Sequence, residues 1–401
     1  MIRIVAKSFL LTGFLLACAT SRGASFTPLG ALPGGAPRSE AHGVSYDGSV
    51  VVGVSGSFSV SQAFRWTESG GMSPLPVDFF ASTFATDISE NGLVITGIIG
   101  NSGGVRWTQS EGMTAVPGGG AYGLSYDGSV IVGNAYRWTN ATGSVPLPLS
   151  LAKGVSADGS VIAGSFGNTA ARWTEATGRM SLGALPATNL ESFANEISAD
   201  GSVIVGRSNT GTANDVVAFR WTQSGGMVGL GDLPGGSVRS IAYDVSADGS
   251  VVVGTSDSGI PDSFVWTAAS GMLNLRDVLA AGGATGFENW TSLYAYGISG
   301  DGSTVVGFGR NPNGQDEAFV ANIAVPEPAA VSLAMFGVSA FAARRRGYRR
   351  REHPTRQTLR LPSFAAIRRN SPALKPGSPR TAGGWQVDDG GSPAVTRPLH
   401  R

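Results

Sequence analysis

The stretch VSADGSVVVG, Val245 to Gly254, recurs six more times with small changes along one chain. The other copies are VSYDGSVVVG from 44, ISENGLVITG from 88, LSYDGSVIVG from 124, VSADGSVIAG from 155, ISADGSVIVG from 197 and ISGDGSTVVG from 298. In each, an apolar residue and a serine lead into Asp-Gly or Asn-Gly, and a Val/Ile run then ends at glycine. This pattern reads as a β-hairpin. Glycine supplies the positive φ that such a turn needs. The Asp or Asn before it tolerates the same region and hydrogen-bonds nearby amides, and the serine hydroxyl satisfies turn backbone. The turn residues Asp47, Asn91, Asp127, Asp158, Asp200, Asp248 and Asp301 lie 31 to 53 residues apart. Loops therefore vary in length while the strands stay. Seven copies of one local solution point to geometry, not chemistry. A calcium loop sets several oxygens two residues apart, and each of these turns offers a single Asp, or Asn at 91, so the seven are read as structural turns.

A second pattern follows each turn: AFRWT from 63 and 218, VRWT from 105, YRWT from 136, ARWT from 171, FVWT from 264 and a decayed AFVAN from 318. Aromatic and β-branched residues at this density favour a strand. Alternation puts Phe219 and Trp221 on one face, between sheets, and Arg220 on the other, toward a rim or a carboxylate. A GGM-like turn and a short apolar run such as MVGLGDLPGG from 227 complete four strands. Four-stranded units of about 40 residues have the size of propeller blades, and seven fit a closed ring. The fold class is all-β, a seven-bladed β-propeller. FTPLGALPGG from 26 matches the fourth strand of an internal repeat, whereas the last repeat ends at AFVANIA with none after it. The expectation is that one N-terminal strand completes the last blade beside residues 318–323, removing the exposed edges of an open stack. In the longer connection from 274, Leu275 to Ala281 can form a helical turn or two before Gly282, as decoration or as a lid.

The ends of the chain differ from the body. Charged residues make up only 14% of the 401, and glycine contributes 59. A turn-rich, weakly charged body follows. Residues 344–401 hold 14 Lys+Arg against 3 Asp+Glu, leaving 15 against 25 for residues 1–343. The body is acidic and solvated, which gives no reason to invoke nucleic acid. At the start, Arg3 and Lys7 precede an apolar run and small residues, the pattern of a secretory signal peptide over 1–24. Cleavage after Ala19 or Ala24 removes Cys18, the one cysteine; the rival reading takes LLAC, Leu15 to Cys18, as a lipoprotein signal. After the repeats, Pro326 and Pro328 bracket Glu327, residues 329–343 are apolar, and Arg344, Arg345 and Arg346 begin a basic cluster. Fifteen helical residues span about 22 Å, short of the roughly 30 Å hydrocarbon core but insertable with snorkelling flanks. The positive-inside rule places the arginines in the cytoplasm and the repeats outside.

VPEP, an apolar stretch and RRR together resemble a PEP-CTERM sorting signal, the tail that exosortase-type enzymes process in exopolysaccharide-producing Gram-negative bacteria. The repeated AFRWT, GGM and LGDLPGG with VSADGSVVVG upstream is similar to the extracellular HAF repeat family. The two resemblances cover about residues 26 to 346. They imply that Val325, Pro326, Glu327 and Pro328 are the recognition segment and Arg344 to Arg346 the cytoplasmic stop. They also imply an exosortase-type partner, transient membrane anchoring through 329–343 and a final place at the cell surface. Four regions result: 1–24 signal peptide, 25–324 propeller, 325–346 sorting segment and 347–401 extension. The chain departs from the pattern by running on 55 residues after Arg346. That extension is rich in Pro, Arg, Gly and Ser, and is expected to be disordered and dispensable.

Little catalytic chemistry is legible. His42 is the one histidine of the body, so histidine-rich metal sites and HExxH are absent, and no cofactor is expected. GNSGG from 100 only superficially resembles a serine-protease nucleophile motif, and GGGAYG from 118 precedes a hairpin strand, not a helix. Acids outside the turns, such as Glu40, Asp78, Glu191, Asp215, Asp232, Asp262 and Glu288, are scattered. Two function classes remain. The favoured one is a non-catalytic binding or structural propeller of the envelope or matrix, associated with exopolysaccharide. The other is a carbohydrate-active enzyme, which needs two carboxylates about 5 to 9.5 Å apart across a pocket.

Overall fold

The computed structural model describes residues 23–56, 61–76, 82–100, 103–186, 191–211 and 215–324. Residues 1–22 of the signal peptide, with Cys18, Asp78, Ser102, the sorting segment with Val325 to Pro328 and Arg344 to Arg346, and the basic extension lie outside them. The described residues form seven four-stranded antiparallel sheets, the blades of a β-propeller. Six sheets are built from consecutive strands, as in Ser39–Val44, Val50–Gly56, Ser61–Thr67 and Gly71–Pro74 of blade 1. The seventh takes Ser292–Ile298, Thr304–Arg310 and Asp316–Asn322 from the end of the body and Ser25–Pro28 from its beginning. The register is Ser25 opposite Asn322, Phe26 opposite Ala321 and Thr27 opposite Val320. The chain is thus closed by its own N-terminal strand, where FTP had been expected.

The closure is held by packing as well as by pairing. Phe26 stacks on Phe319 at 5.1 Å and meets Trp290 edge-on at 5.1 Å. Ser39 at the head of blade 1 donates to the carbonyl of Gly30 and accepts from the amide of Ala318, tying blade 1 to both strands of the seam. The helix Leu275–Ala281 buries Leu275 and Leu279 in the same cluster. Arg276 fixes the connection by donating to Asp262, the carbonyl of Phe287 and the carbonyl of Trp290. The segment is core beside the closing strand and not a lid.

Within each blade the third strand supplies the inter-sheet core. Phe64, Phe219, Phe264 and Phe319 are fully buried, and Trp221 is buried two residues after Phe219. Arg220 turns the other way and donates to the carbonyl of Gly249 in the next blade.

The recurring turn does two jobs. Its geometry is the same in six copies: in blade 6 the Ser246 hydroxyl donates to Asp248 Oδ1 at 2.7 Å and accepts from the Val251 amide at 3.0 Å, while Asp248 Oδ1 accepts from the Ser250 amide at 2.9 Å. In blade 2 Asn91 replaces the aspartate with the same contacts. Only the glycine takes positive φ, 72° at Gly249; the acidic residue does not share that region and contributes through its carboxylate. The second job was not foreseen. The residue between Ser and Asp carries a backbone bond to the next blade: Tyr46 to Glu90 at 2.9 Å, Tyr126 to Ala157 at 3.2 Å, Ala157 to Ala199 at 2.8 Å, Ala199 to Ala247 at 3.0 Å and Ala247 to Gly300 at 3.0 Å. Asn91 to Tyr126 and Asp301 to Tyr46 complete the circuit, each using the amide one residue on. Seven turns therefore make a closed hydrogen-bonded ring around the central channel.

In six of the seven blades the glycine that ends the Val/Ile run does not end the strand; in blade 3 the strand stops at Gly133. Gly254 sits inside Val251–Asp257, where a Cβ would lie 2.0 Å from the carbonyl oxygen of Ile241 on the inner strand. The close approach arises from a bulge in the inner strand. It occurs at the same point in all seven blades, between Ala41 and Gly43, Ala85 and Asp87, Ala121 and Gly123, and so on round the ring.

Candidate functional site in the central channel

The inner strands line a channel of about 330 Å³. Its wall follows from five residues just before each turn: AHGVS from 41, ATDIS from 85, AYGLS from 121, AKGVS from 152, ANEIS from 194, AYDVS from 242 and AYGIS from 295. The alanine is buried in every blade. The bulge inserts one extra residue next to it, so two consecutive residues reach the channel where a regular strand would present one. The residue before the serine is Val, Ile or Leu and is buried in every blade.

The deeper of the two channel rings consists of Gly43, Asp87, Gly123, Gly154, Glu196, Asp244 and Gly297. It is the tightest level. A Cβ at Gly123 would lie 1.7 Å from the carbonyl of Lys153, and one at Gly154 2.5 Å from Glu196 Oε1. Glycine at four positions makes room for three acidic side chains. These caps satisfy backbone amides that the bulges leave facing inward. Asp244 accepts from Val245 and Ile298, both at 2.7 Å; Asp87 accepts from Ile88 at 2.8 Å and from Leu124; Glu196 accepts from Ile197 at 2.9 Å.

The three carboxyls lie far from their usual titration range. Burial is the main cause, and it pushes Asp87 up to about 8 against the pull of its amide partners, with the Asp244 charge adding to the rise. Burial likewise pushes Asp244 up to about 7. Glu196 is raised well above the ordinary carboxylate range by burial and then by the charges of Asp244 and Asp87. Glu90, at the turn end of the channel, is raised by burial and by Asp301.

The outer ring, away from the turns, is polar and aromatic: His42, Thr86, Tyr122, Lys153, Asn195, Tyr243 and Tyr296. Tyr243 meets Tyr296 edge-on at 4.8 Å, and Tyr296 lies 5.5 Å from Phe308 and 5.9 Å from His42. Tyr294 stacks on Phe308 at 4.8 Å, so blades 6, 7 and 1 give the mouth an aromatic side. His42 bonds the carbonyl of Ala85 at 3.1 Å and Glu40 at 3.3 Å. Burial pushes the Glu40 carboxyl up, but the His42 hydrogen bond and the charges of His42 and Arg38 more than offset it, holding it low. Across the channel, Lys153 donates to Asn195 Oδ1 at 2.9 Å, and Asn195 is oriented by its own bond to the carbonyl of Ala242 at 2.8 Å. Burial and then the nearby Arg207 charge lower the Lys153 ammonium, with Glu196 acting against them.

The turn residues Asp47, Asn91, Asp127, Asp158, Asp200, Asp248 and Asp301 do not converge on this site; each is spent on its own turn. Of the scattered acids, Glu40 reaches the mouth, while Asp262 is buried against Arg276. Asp87, Glu196 and Asp244 stand one residue upstream of the ten-residue repeat, where the sequence varies between Gly, Asp and Glu and shows no motif. The alanine that recurs four residues before the turn serine in all seven copies was the available signal. Among the described residues, no group of three His, Cys, Asp or Glu side chains is arranged to hold a metal ion, and no helix is long and apolar enough to cross a membrane.

Solved structures share the fold at low identity. An oligogalacturonate lyase from Vibrio parahaemolyticus is 13% identical with a TM-score of 0.50, over 76% of this chain and 98% of that one. A chain of a mitotic checkpoint complex is 12% identical with a TM-score of 0.47, over 81% and 99%. An oligogalacturonate lyase in complex with manganese is 14% identical with a TM-score of 0.49, over 76% and 98%. No curated protein matches the chain. Residues 324–350 match the PEP-CTERM protein-sorting motif, which exosortases recognise. The motif marks an exported protein that is anchored in the membrane before processing, and its fold is a β-propeller.

Proposed function

We propose that this is a surface or matrix protein that binds a saccharide chain at the outer mouth of its channel and does not cleave it. The observation that carries the reading is the half-buried ring of Tyr122, Tyr243 and Tyr296 interleaved with Thr86, Asn195 and His42. A sugar ring has apolar C–H faces and an equator of hydroxyls. Tyrosine faces cover the first at little entropic cost, and short amide, hydroxyl and imidazole groups meet the second. The surface address fits an exopolysaccharide as the source of such a chain, and the likeness of the repeats to the HAF family fits an extracellular setting.

A second reading, a carbohydrate-active enzyme, is favoured by the three channel acids, whose carboxyls desolvation raises above the ordinary range. Their bonding speaks for a structural role, since both Asp244 oxygens already accept backbone amides. The test is co-sedimentation of the purified full chain with the exopolysaccharide of its own organism, with an assay of chain length in the same tubes. The expected result is binding that Tyr296→Ala and Tyr243→Ala abolish, with polymer length unchanged. Shortening of the polymer that Asp244→Asn abolishes would establish the enzyme instead.

A further inference from the structure

We propose that the saccharide taken at this mouth is acidic, its carboxylate docking against Lys153 and Arg207. This rests on the reading of the mouth as a saccharide site and adds its chemical class. Lys153 lines the channel on blade 4, three blades from Tyr296, and Arg207 stands on the second strand of blade 5, opposite Phe193. Neither forms a salt bridge among the described residues. Lys153 spends one of its three donors on Asn195 Oδ1, which holds the ammonium on the blade 5 side of the channel. The Arg207 Cζ sits over the Phe193 ring, 4.7 Å from its centroid. Stacking of this kind uses the face of the guanidinium and leaves its N–H fork open for a planar carboxylate.

The Arg207 charge helps lower the Lys153 ammonium, after burial, and an anion bound by both would relieve that repulsion. The acids nearby do not supply that anion. Glu196 is committed to the Ile197 amide, and burial favours its neutral form. Glu40, across the mouth, is already paired with Arg38 and His42. The mouth thus has one side for a sugar face and one for a sugar acid.

Polygalacturonate, dextran sulfate and neutral dextran, titrated against the full chain at fixed ionic strength, separate the possibilities. Polygalacturonate is expected to bind, dextran not. Lys153→Gln and Arg207→Gln are each expected to weaken polygalacturonate binding about tenfold or more, the scale of one lost charge-assisted hydrogen bond, with melting temperature unchanged. Equal binding of dextran and polygalacturonate, insensitive to both variants, overturns the acidic class and leaves the saccharide site standing. Binding of dextran sulfate as tight as polygalacturonate, surviving both variants, shows general ion attraction and overturns the proposal. If none of the three polymers binds, and the native exopolysaccharide does not either, the saccharide reading falls with it.

Discussion

Asp244 of blade 6 accepts the amide of Ile298 of blade 7 at 2.7 Å, so a carboxyl in the narrowest ring of the channel stitches two blades together. Burial raises this group to about 7 and Asp87 to about 8. A carboxyl whose folded pKa is raised binds more protons folded than unfolded. Its stabilisation is full below the unfolded value near 3.8 and is lost as pH rises through the folded value. Thermal unfolding should therefore show the melting temperature falling between pH 5 and pH 9, by about 5 °C or more. Asp87→Asn and Asp244→Asn should each flatten the slope. An unchanged slope in the double variant would show that these acids titrate normally. Asp244→Ala is expected to cost about 1–3 kcal/mol, because it leaves the buried Ile298 amide without an acceptor.

At the acid end the turn carboxylates set the opposite slope. Hydrogen bonds from Ser156 and Ser160 hold Asp158 below the ordinary range, and the Ser198 bond chiefly does the same for Asp200. Depressed groups stabilise above the unfolded value near 3.8 and lose that contribution as pH falls through the folded value. Stability should pass through a maximum between about pH 4 and 5 and decline below it. Ser198→Ala removes the donor to Asp200 and the acceptor of the Val203 amide together, and should cost about 1–3 kcal/mol by denaturant titration.

Gly254 tests the bulge. Because a Cβ there would lie 2.0 Å from the Ile241 carbonyl, Gly254→Ala must push two strands of blade 6 apart. The expected cost is about 1–3 kcal/mol, the range for overpacking. Val228→Ala on the exposed outer strand should change stability by less than about 0.5 kcal/mol. Equal small effects from the two would mean that the bulge relaxes freely.

Gly254 also marks where sequence reasoning reached and where it stopped. Period-2 alternation, the Asp-Gly turns and the unmatched FTP strand are local signals, and they were enough for the blade count and the ring closure. The bulge is not local: it exists because seven inner strands crowd one axis, and it turns two consecutive residues inward where alternation allows one. Asp87, Glu196 and Asp244 were therefore invisible as a group, although they hold the same place in the repeat frame, 109 and 48 positions apart. The backbone ring through Tyr46, Ala157 and Ala247 was hidden for the same reason, since its partners are always in another blade.

The seam between the first and last strands offers the sharpest test of the architecture. Phe26 is 8% exposed and packs on Phe319, Trp290 and Phe287. Truncating a buried aromatic of this kind costs about 3–5 kcal/mol, so Phe26→Ala should lower the melting temperature of the whole ring in one transition. Removing residues 25–28 should do more than destabilise. It strips the partner from Asp316–Asn322 and leaves an unpaired, largely buried-sequence edge that templates pairing with another copy. Size-exclusion chromatography is expected to show dimers or larger species for the deletion and a single smaller species for the intact chain. The same elution for both would mean that the outer strand of blade 7 is dispensable and that the ring is held by its inner turns alone.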